Sequence, residues 1–151
     1  MKKYVNMIMR NEDVQGIEKV FSDYDSALKD AIWAAEKTVI SWKEAKKHKV
    51  QMWCKNMETE EMELELEIPF VRTWKVETNL HIDTWQDFQA YPETSEIKAR
   101  NAEEAASDVM TWLNMDDITT ETEFRVFPVD QYGDRLDYAP IETFTARELG
   151  W

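Results

Sequence analysis

The stretch EMELELEI, residues 61–68, decides the fold, because glutamate and an apolar residue alternate in it without interruption. Alternation with a period of two is typical of a β-strand with one buried face and one face in solvent or on a partner. We expect one face to carry Met62, Leu64, Leu66 and Ile68, and the other to carry Glu61, Glu63, Glu65 and Glu67. Pro69 is expected to end this strand or to mark a sheet edge.

Strands and helices are predicted on both sides of this stretch. Further strands are expected at 4–10, 17–21, 49–55, 121–129 and 135–144. An apolar stripe from Tyr24 to Ala45 predicts one long helix with Ser22 as its N-cap, and a second helix is expected to begin at Asn101, where Glu104 completes a capping box. The sequence therefore predicts an α+β protein, an antiparallel or mixed β-sheet with two main α-helices packed on one face.

The chain is expected to form one domain over residues 1–151. It has three glycines, four prolines and no Ser/Gly-rich or Pro-rich linker that would mark a boundary. The two predicted helices align at an offset of 78 positions, which places Ala27 opposite Ala105 and Asp30 opposite Asp108. The alternative is a degenerate internal duplication, with halves 1–78 and 79–151.

The charge is strongly negative, at −13 from 31 acidic and 18 basic residues. Residues 57–151 hold 23 acidic and 7 basic residues, a net of −16, whereas residues 1–56 carry +3. Such a field repels nucleic acid and anionic lipid, so we expect no direct nucleic-acid binding and no membrane binding. The single cysteine and the absence of a signal-like or membrane-spanning stretch lead us to expect a cytoplasmic protein.

The sequence contains no motif of a catalytic or metal-binding site. GxGxxG, GxxxxGK[ST], GxSxG and HExxH are all absent. His81 with Asp83 and Asp87 resembles a metal site, but no second His or Cys lies nearby to complete a tetrahedral set. His48 is expected at a lysine-rich helix end, and Cys54 has no neighbouring base in sequence. We therefore predict no catalytic residue, no metal and no cofactor. One alternative is a cryptic metal-dependent hydrolase that uses His81.

The acidic residues are clustered in a way that predicts a binding surface. The clustered residues are Glu58, Glu60, Glu61, Glu63, Glu65, Glu67, Glu103, Glu104, Asp108, Asp116 and Asp117. Like charges at this density oppose folding, so a functional reason for them is expected. We predict that they bind a basic protein partner and, in the limit, imitate the phosphates of a nucleic acid in the groove of an enzyme. The alternative is a small structural or interaction module, monomer or homodimer, whose charge serves solubility.

In character, the chain is similar to the small inhibitors that phages and mobile elements use against nucleic-acid-handling defence enzymes, of the anti-CRISPR or anti-restriction type. The similarity consists of size, acidity and the lack of a catalytic motif, and it involves no specific residues. It implies a non-enzymatic protein that acts by steric and electrostatic competition.

Overall fold

The computed structural model of the protein describes residues 1–78, 89–90, 96–113 and 118–151. Its strands pair antiparallel and are combined with helices, so the fold class is α+β. The chain divides into two compact units, Met1–Val71 and Arg72–Trp151. The single domain 1–151 and its alternative, a duplication with halves 1–78 and 79–151, stay predictions. Among the described residues, no helix combines the length and the apolar character needed to cross a membrane.

The first unit is a four-stranded antiparallel sheet with one long helix against it. Its elements are β1 (Lys2–Arg10), β2 (Asp13–Phe21), α1 (Tyr24–Lys37), α2 (Trp42–Ala45), β3 (His48–Asn56) and β4 (Met62–Pro69). The strand order is β2-β1-β3-β4, so the predicted strand at 61–68 lies at an edge and ends at Pro69. α1 packs against β1 and β3 with its alanines, of which Ala27 and Ala35 are fully buried.

The predicted long helix is interrupted, and this part of the prediction is wrong. α1 ends at Lys37, Thr38 has extended backbone, and α2 begins only at Trp42. The run Thr38-Val39-Ile40 consists of β-branched residues, which lose side-chain freedom in a helix. The Thr38 hydroxyl donates to the Ala34 carbonyl at 2.6 Å, and Ser41 then caps the second helix by accepting from the Glu44 N–H at 3.2 Å. Residues that end the first helix are therefore followed directly by the N-cap of the second.

In its described residues, the second unit is a five-stranded antiparallel sheet with one helix. Its elements are β5 (Arg72–Thr78), β6 (Gln89–Ala90), β7 (Glu96–Ala99), α3 (Ala102–Trp112), β8 (Glu123–Val129) and β9 (Glu142–Thr145). The main order is β6-β5-β8-β9, and β7 pairs with another stretch of β5. Since β8 occupies one side of β5, the strands β6 and β7 both lie on the other.

The core of the second unit lies between α3 and its sheet. Ala105 and Val109 from the helix pack with Trp74 and Phe124 from the strands. The predicted N-cap is confirmed, because Asn101 Oδ1 accepts from the Glu104 N–H at 2.9 Å. The strand predicted at 135–144 is wrong for most of its length: only Glu142–Thr145 forms a strand. A turn closed by the Ala139 N–H to the Leu136 carbonyl precedes it, next to Pro140, which has no N–H to donate.

The two units share one order of elements. Each has a central strand, an edge partner, a long helix and two further strands, and the corresponding sheet orders are β2-β1-β3-β4 and β6/β7-β5-β8-β9. The helix caps Asp23 and Asn101 lie 78 positions apart, which is the offset that aligns the helices in sequence. Two helices on one face of a single sheet are not confirmed, because each helix packs on the sheet of its own unit.

Candidate functional site: an acidic hairpin

The turn between β3 and β4 is held by the side chain of Asn56. Asn56 Oδ1 accepts from the N–H groups of Glu58 at 2.9 Å and Thr59 at 3.3 Å. The backbone of Asn56 closes the same turn, since its carbonyl accepts from the Glu60 N–H and its N–H donates to the Glu61 carbonyl. Glu60 has a φ of 62°, in the left-handed region. The turn is therefore preformed and presents three glutamates at its tip.

A β-bulge in β4 divides the expected row of glutamates. Met52 of β3 lies opposite Leu66, but the next residue, Trp53, lies opposite Leu64, so β4 contains one extra residue at Glu65. Directly opposed residues of antiparallel strands point to the same side of the sheet. A one-residue shift moves every later side chain to the other face.

The prediction that Glu61, Glu63, Glu65 and Glu67 share one face is therefore wrong. Asn6, which bonds to α1, lies opposite Met52, so Leu66 and Ile68 are on the helix side of the sheet. Glu63 lies opposite Cys54 on that same side. Glu67, opposite Gln51, points to the far side.

Glu67 is engaged within the protein. Its Oε2 accepts from Gln51 Nε2 at 2.8 Å and lies 3.4 Å from Lys49 Nζ. Gln51 Oε1 in turn accepts from Trp53 Nε1 at 3.2 Å. This chain of hydrogen bonds gives Glu67 a structural role on the far face, so we separate it from the other glutamates.

The remaining glutamates form what we call the acidic hairpin: Glu58, Glu60, Glu61, Glu63 and Glu65. All five are exposed. Glu58 lies 3.8 Å from the N-terminal ammonium of Met1, and both groups are largely in solvent, so this pair contributes little. Within the part of the chain that the structure describes, the other four have no cation within 4.0 Å. The hairpin thus presents carboxylates whose charge is not neutralised by direct ion pairs.

Lysines stand near the acidic hairpin without pairing with it directly. Lys2 lies opposite Asn56, and Lys3 lies opposite Lys55, on the strands that lead to the turn. Their charges lower the net negative potential at this end of the sheet. The sequence shows these lysines only as part of its basic first third. Their position near the hairpin follows from the pairing of β1 with β3, which cannot be predicted from hydropathy.

Some other acidic residues of the first unit form ion pairs. Arg10 Nε donates to Glu44 Oε2 at 2.9 Å, and this hydrogen bond holds the pKa of Glu44 below its ordinary value and raises that of Arg10. Lys19 Nζ lies 3.2 Å from Asp30 Oδ1. The acidic hairpin, in contrast, gathers exposed carboxylates without side-chain ion pairs in one short stretch of the chain.

The other predicted acidic residues fall elsewhere. Glu103, Glu104 and Asp108 lie on α3, in the second unit, with Glu103 exposed and the other two half-buried. Asp116 and Asp117 lie outside the described residues, as do His81, Asp83 and Asp87 of the suggested metal site. Among the residues that are described, no three His, Cys, Asp or Glu side chains are grouped as a metal site would require.

The turn-forming Asn56 was missed by sequence reasoning. Asparagine directly before a polar turn is a recognised signal, because its side chain bonds to backbone N–H groups two and three residues on.

Comparisons of the chain with protein-family models, with curated protein sequences and with solved structures find no match.

Proposed function

We propose that the protein is a non-enzymatic binding protein whose acidic hairpin engages a basic surface of a partner protein. The observation that carries the proposal is the set of five exposed glutamates on a hairpin, three of them on its preformed turn and two on β4, with four of the five lacking a cation within 4.0 Å among the described residues. A rigid turn loses little conformational entropy when it binds. A net charge of −13 adds long-range attraction toward a basic partner and accelerates encounter.

A more specific form of the proposal concerns the partner. The basic surface would be the nucleic-acid groove of an enzyme, and the protein would inhibit that enzyme by competing with phosphates, as an anti-CRISPR or anti-restriction inhibitor does. The high negative charge supports this form. The bulge at Glu65 means that the carboxylates form a cluster at the hairpin and not a regular ladder along β4.

Two triple variants with equal charge change test the proposal. One replaces Glu58, Glu60 and Glu61 by Gln, and its control replaces Glu103 and Glu104 by Gln and Asp108 by Asn on α3. Wild type and both variants are used to capture proteins from a lysate of the native host at low ionic strength, and the affinity for each retained basic protein is then measured across a salt series.

The hairpin variant is expected to bind at least about tenfold more weakly than the α3 variant, with a shallower salt dependence. Equal binding by the two variants, or capture that is insensitive to salt, would contradict the role of the hairpin. Competition between the captured protein's nucleic acid and wild type then separates the inhibitor form from simple binding.

A second candidate function is an interaction module or homodimer held by apolar contacts. It is favoured by large exposed apolar side chains around the break between α1 and α2: Trp33 is 59%, Val39 100% and Trp42 41% exposed. Sedimentation across the same salt series distinguishes the two functions, because apolar self-association persists or strengthens as salt rises, whereas attraction to a basic partner weakens.

A further inference from the structure

The outer edge of β4 has backbone groups that no strand covers in the described part of the structure. β4 pairs with β3 on one side and forms an edge of its sheet. Two backbone hydrogen bonds near its ends show which residues face β3. The Asn56 N–H donates to the Glu61 carbonyl at 2.9 Å, and the Phe70 N–H donates to the His48 carbonyl at 3.0 Å.

Successive residues of a strand direct their backbone N–H and C=O groups to opposite sides, toward the neighbouring strand and away from it. Since Glu61 faces β3, Met62 and Leu64 direct these groups outward. Counting back from Phe70, Pro69 is also an outward position, which agrees with its lack of an N–H group. Met62 and Leu64 therefore offer two donors and two acceptors to a further strand.

The side chains along this edge differ in chemistry between the two faces of the sheet. Met62 and Leu64 lie opposite Lys55 and Trp53, on the face away from α1, and are 41% and 46% exposed. Glu63, between them, points to the helix side and is also exposed. The open backbone groups are thus flanked by apolar side chains on one face and by a carboxylate on the other.

A segment that fits this edge has to match both faces. In an added antiparallel strand, the residues opposite Met62 and Leu64 make the backbone hydrogen bonds and point to the apolar face. The residue between them lies opposite Glu63, at a position where side chains approach most closely, so a lysine or arginine there forms a favourable cross-strand pair. We propose that the edge of β4 at Met62–Leu64 binds an extended partner segment in which basic and apolar residues alternate. The inference rests on the proposed function, since it names the kind of segment that the acidic hairpin engages.

A second copy of β4 does not fit the same edge. A two-fold axis through this run of residues places Glu63 opposite its own copy and Glu61 opposite Glu65, and like charges directly opposite each other destabilise a strand pair. Charged side chains and bulges are common protections of sheet edges against self-association. The glutamate that repels a copy attracts a basic segment, which makes the edge selective.

Two isomeric peptides test the use of the backbone. The probe is a capped five-residue peptide of alternating lysine and valine, with valines at its second and fourth positions, opposite Leu64 and Met62. One isomer carries N-methyl groups on both valines, which blocks the hydrogen bonds to β4, and the other carries them on two lysines, whose N–H groups face away. Binding of each peptide to the full chain is measured by NMR titration at low ionic strength.

We expect the lysine-methylated isomer to bind as the unmodified peptide does, and the valine-methylated isomer to bind at least about tenfold more weakly. Equal binding by the two isomers would overturn the role of the edge and leave charge-driven binding by the hairpin intact. Failure of the unmodified peptide to bind would also overturn the inference, whereas the proposed function is decided separately by the triple variants.

Amide hydrogen exchange provides an independent measurement. The outward N–H groups of Met62 and Leu64 are expected to exchange rapidly in the free protein and to be slowed by the unmodified peptide, with the inward N–H of Glu63 as the internal control. Protection of Met62 and Leu64 in the free protein would overturn the proposal, because the edge is then already covered. The cover is a second copy if the protection falls on dilution, and the chain itself if it does not.

Discussion

Asp23 stabilises the start of α1 both as a hydrogen-bond acceptor and through its negative charge. Its Oδ1 accepts from the Ser26 N–H at 2.8 Å, and its Oδ2 accepts from the Ser26 hydroxyl at 2.9 Å. The backbone hydrogen bond, followed by the hydroxyl, lowers the pKa of Asp23 below its ordinary value. A carboxyl group with a depressed folded-state pKa stabilises the fold above its unfolded pKa, and this stabilisation is lost as the pH falls through the folded value.

Asp23→Asn should therefore change how stability depends on pH. Asparagine is an equally good N-cap, but it carries no charge for the helix dipole. We expect wild type to have the higher urea midpoint at pH 7, and the difference to shrink toward zero as the pH is lowered below about 4. Urea titrations at a series of pH values measure it. Asp23→Ala, which removes the cap, should be less stable than Asp23→Asn throughout, and a pH-independent gap between wild type and Asp23→Asn would contradict this explanation.

The N-cap of α1 shows how precisely the start of a helix can be predicted from sequence. Ser22 was predicted as the N-cap, and Asp23 is the residue that performs this role. Both types accept a backbone N–H equally well, so composition alone leaves the start of the helix uncertain by one residue. At Asn101 the neighbouring residues offer no competing side-chain acceptor directly before the helix, and the prediction there is confirmed.

At the scale of elements, the sequence predicts local structure better than pairing. The strands predicted at 4–10, 49–55 and 61–68 form as β1, β3 and β4, the last from Met62, because their apolar periodicity is local information. The bulge at Glu65 leaves the alternation of residues 61–68 untouched, so no pattern in the stretch reveals it. The sequence therefore predicts that these glutamates lie on a hairpin, whereas the direction in which they point depends on a register that only the partner strand sets.

The hairpin turn stores backbone strain at Glu60, where φ is 62°. A side chain in this region costs about 1–2 kcal/mol, and glycine avoids the cost. Glycine also has more conformational freedom in the unfolded chain, which cancels part of this gain. We therefore expect Glu60→Gly to raise the free energy of unfolding by about 0.5–1 kcal/mol. Thermal or urea unfolding measures the change.

Glu58→Gly is the matched control, since it makes the same chemical change two residues earlier, where φ is not positive. It should lower the stability. If Glu60→Gly is also destabilising, the left-handed conformation at Glu60 is not the state of the turn in solution.

At the scale of the whole molecule, the order of elements was easier to predict than their grouping. The repeated order of strands and helices is visible in the sequence, since each helix carries its own cap and alanine stripe. Which strands share a sheet depends on contacts between residues far apart in the chain, and hydropathy does not encode them. The linker-free composition favoured one domain, and the boundary between the units falls between Val71 and Arg72, where no glycine or proline run marks it.

The first unit should fold without the second. All strand pairs of its sheet, and the helix that packs on that sheet, lie within Met1–Val71. Its net charge is only −3, from 11 basic and 14 acidic residues, whereas Arg72–Trp151 carries −10 from 7 and 17. The first unit therefore experiences less self-repulsion than the second. We expect a fragment of residues 1–71 to unfold cooperatively in urea, with an m-value of roughly 1 kcal/mol/M, as suits a small domain.

Circular dichroism and amide dispersion in NMR measure the fragment directly, and the full chain provides the reference spectrum. Amide signals of β1 and β3 that match those of the full chain would show that the sheet forms from its own contacts. A fragment without a cooperative transition that becomes ordered only when residues 72–151 are added would instead support one domain over 1–151. Since Ile68 and Phe70, at the end of the unit, are almost fully buried, a fragment of residues 1–66 should lose the transition in either case and so marks the lower limit of the folding unit.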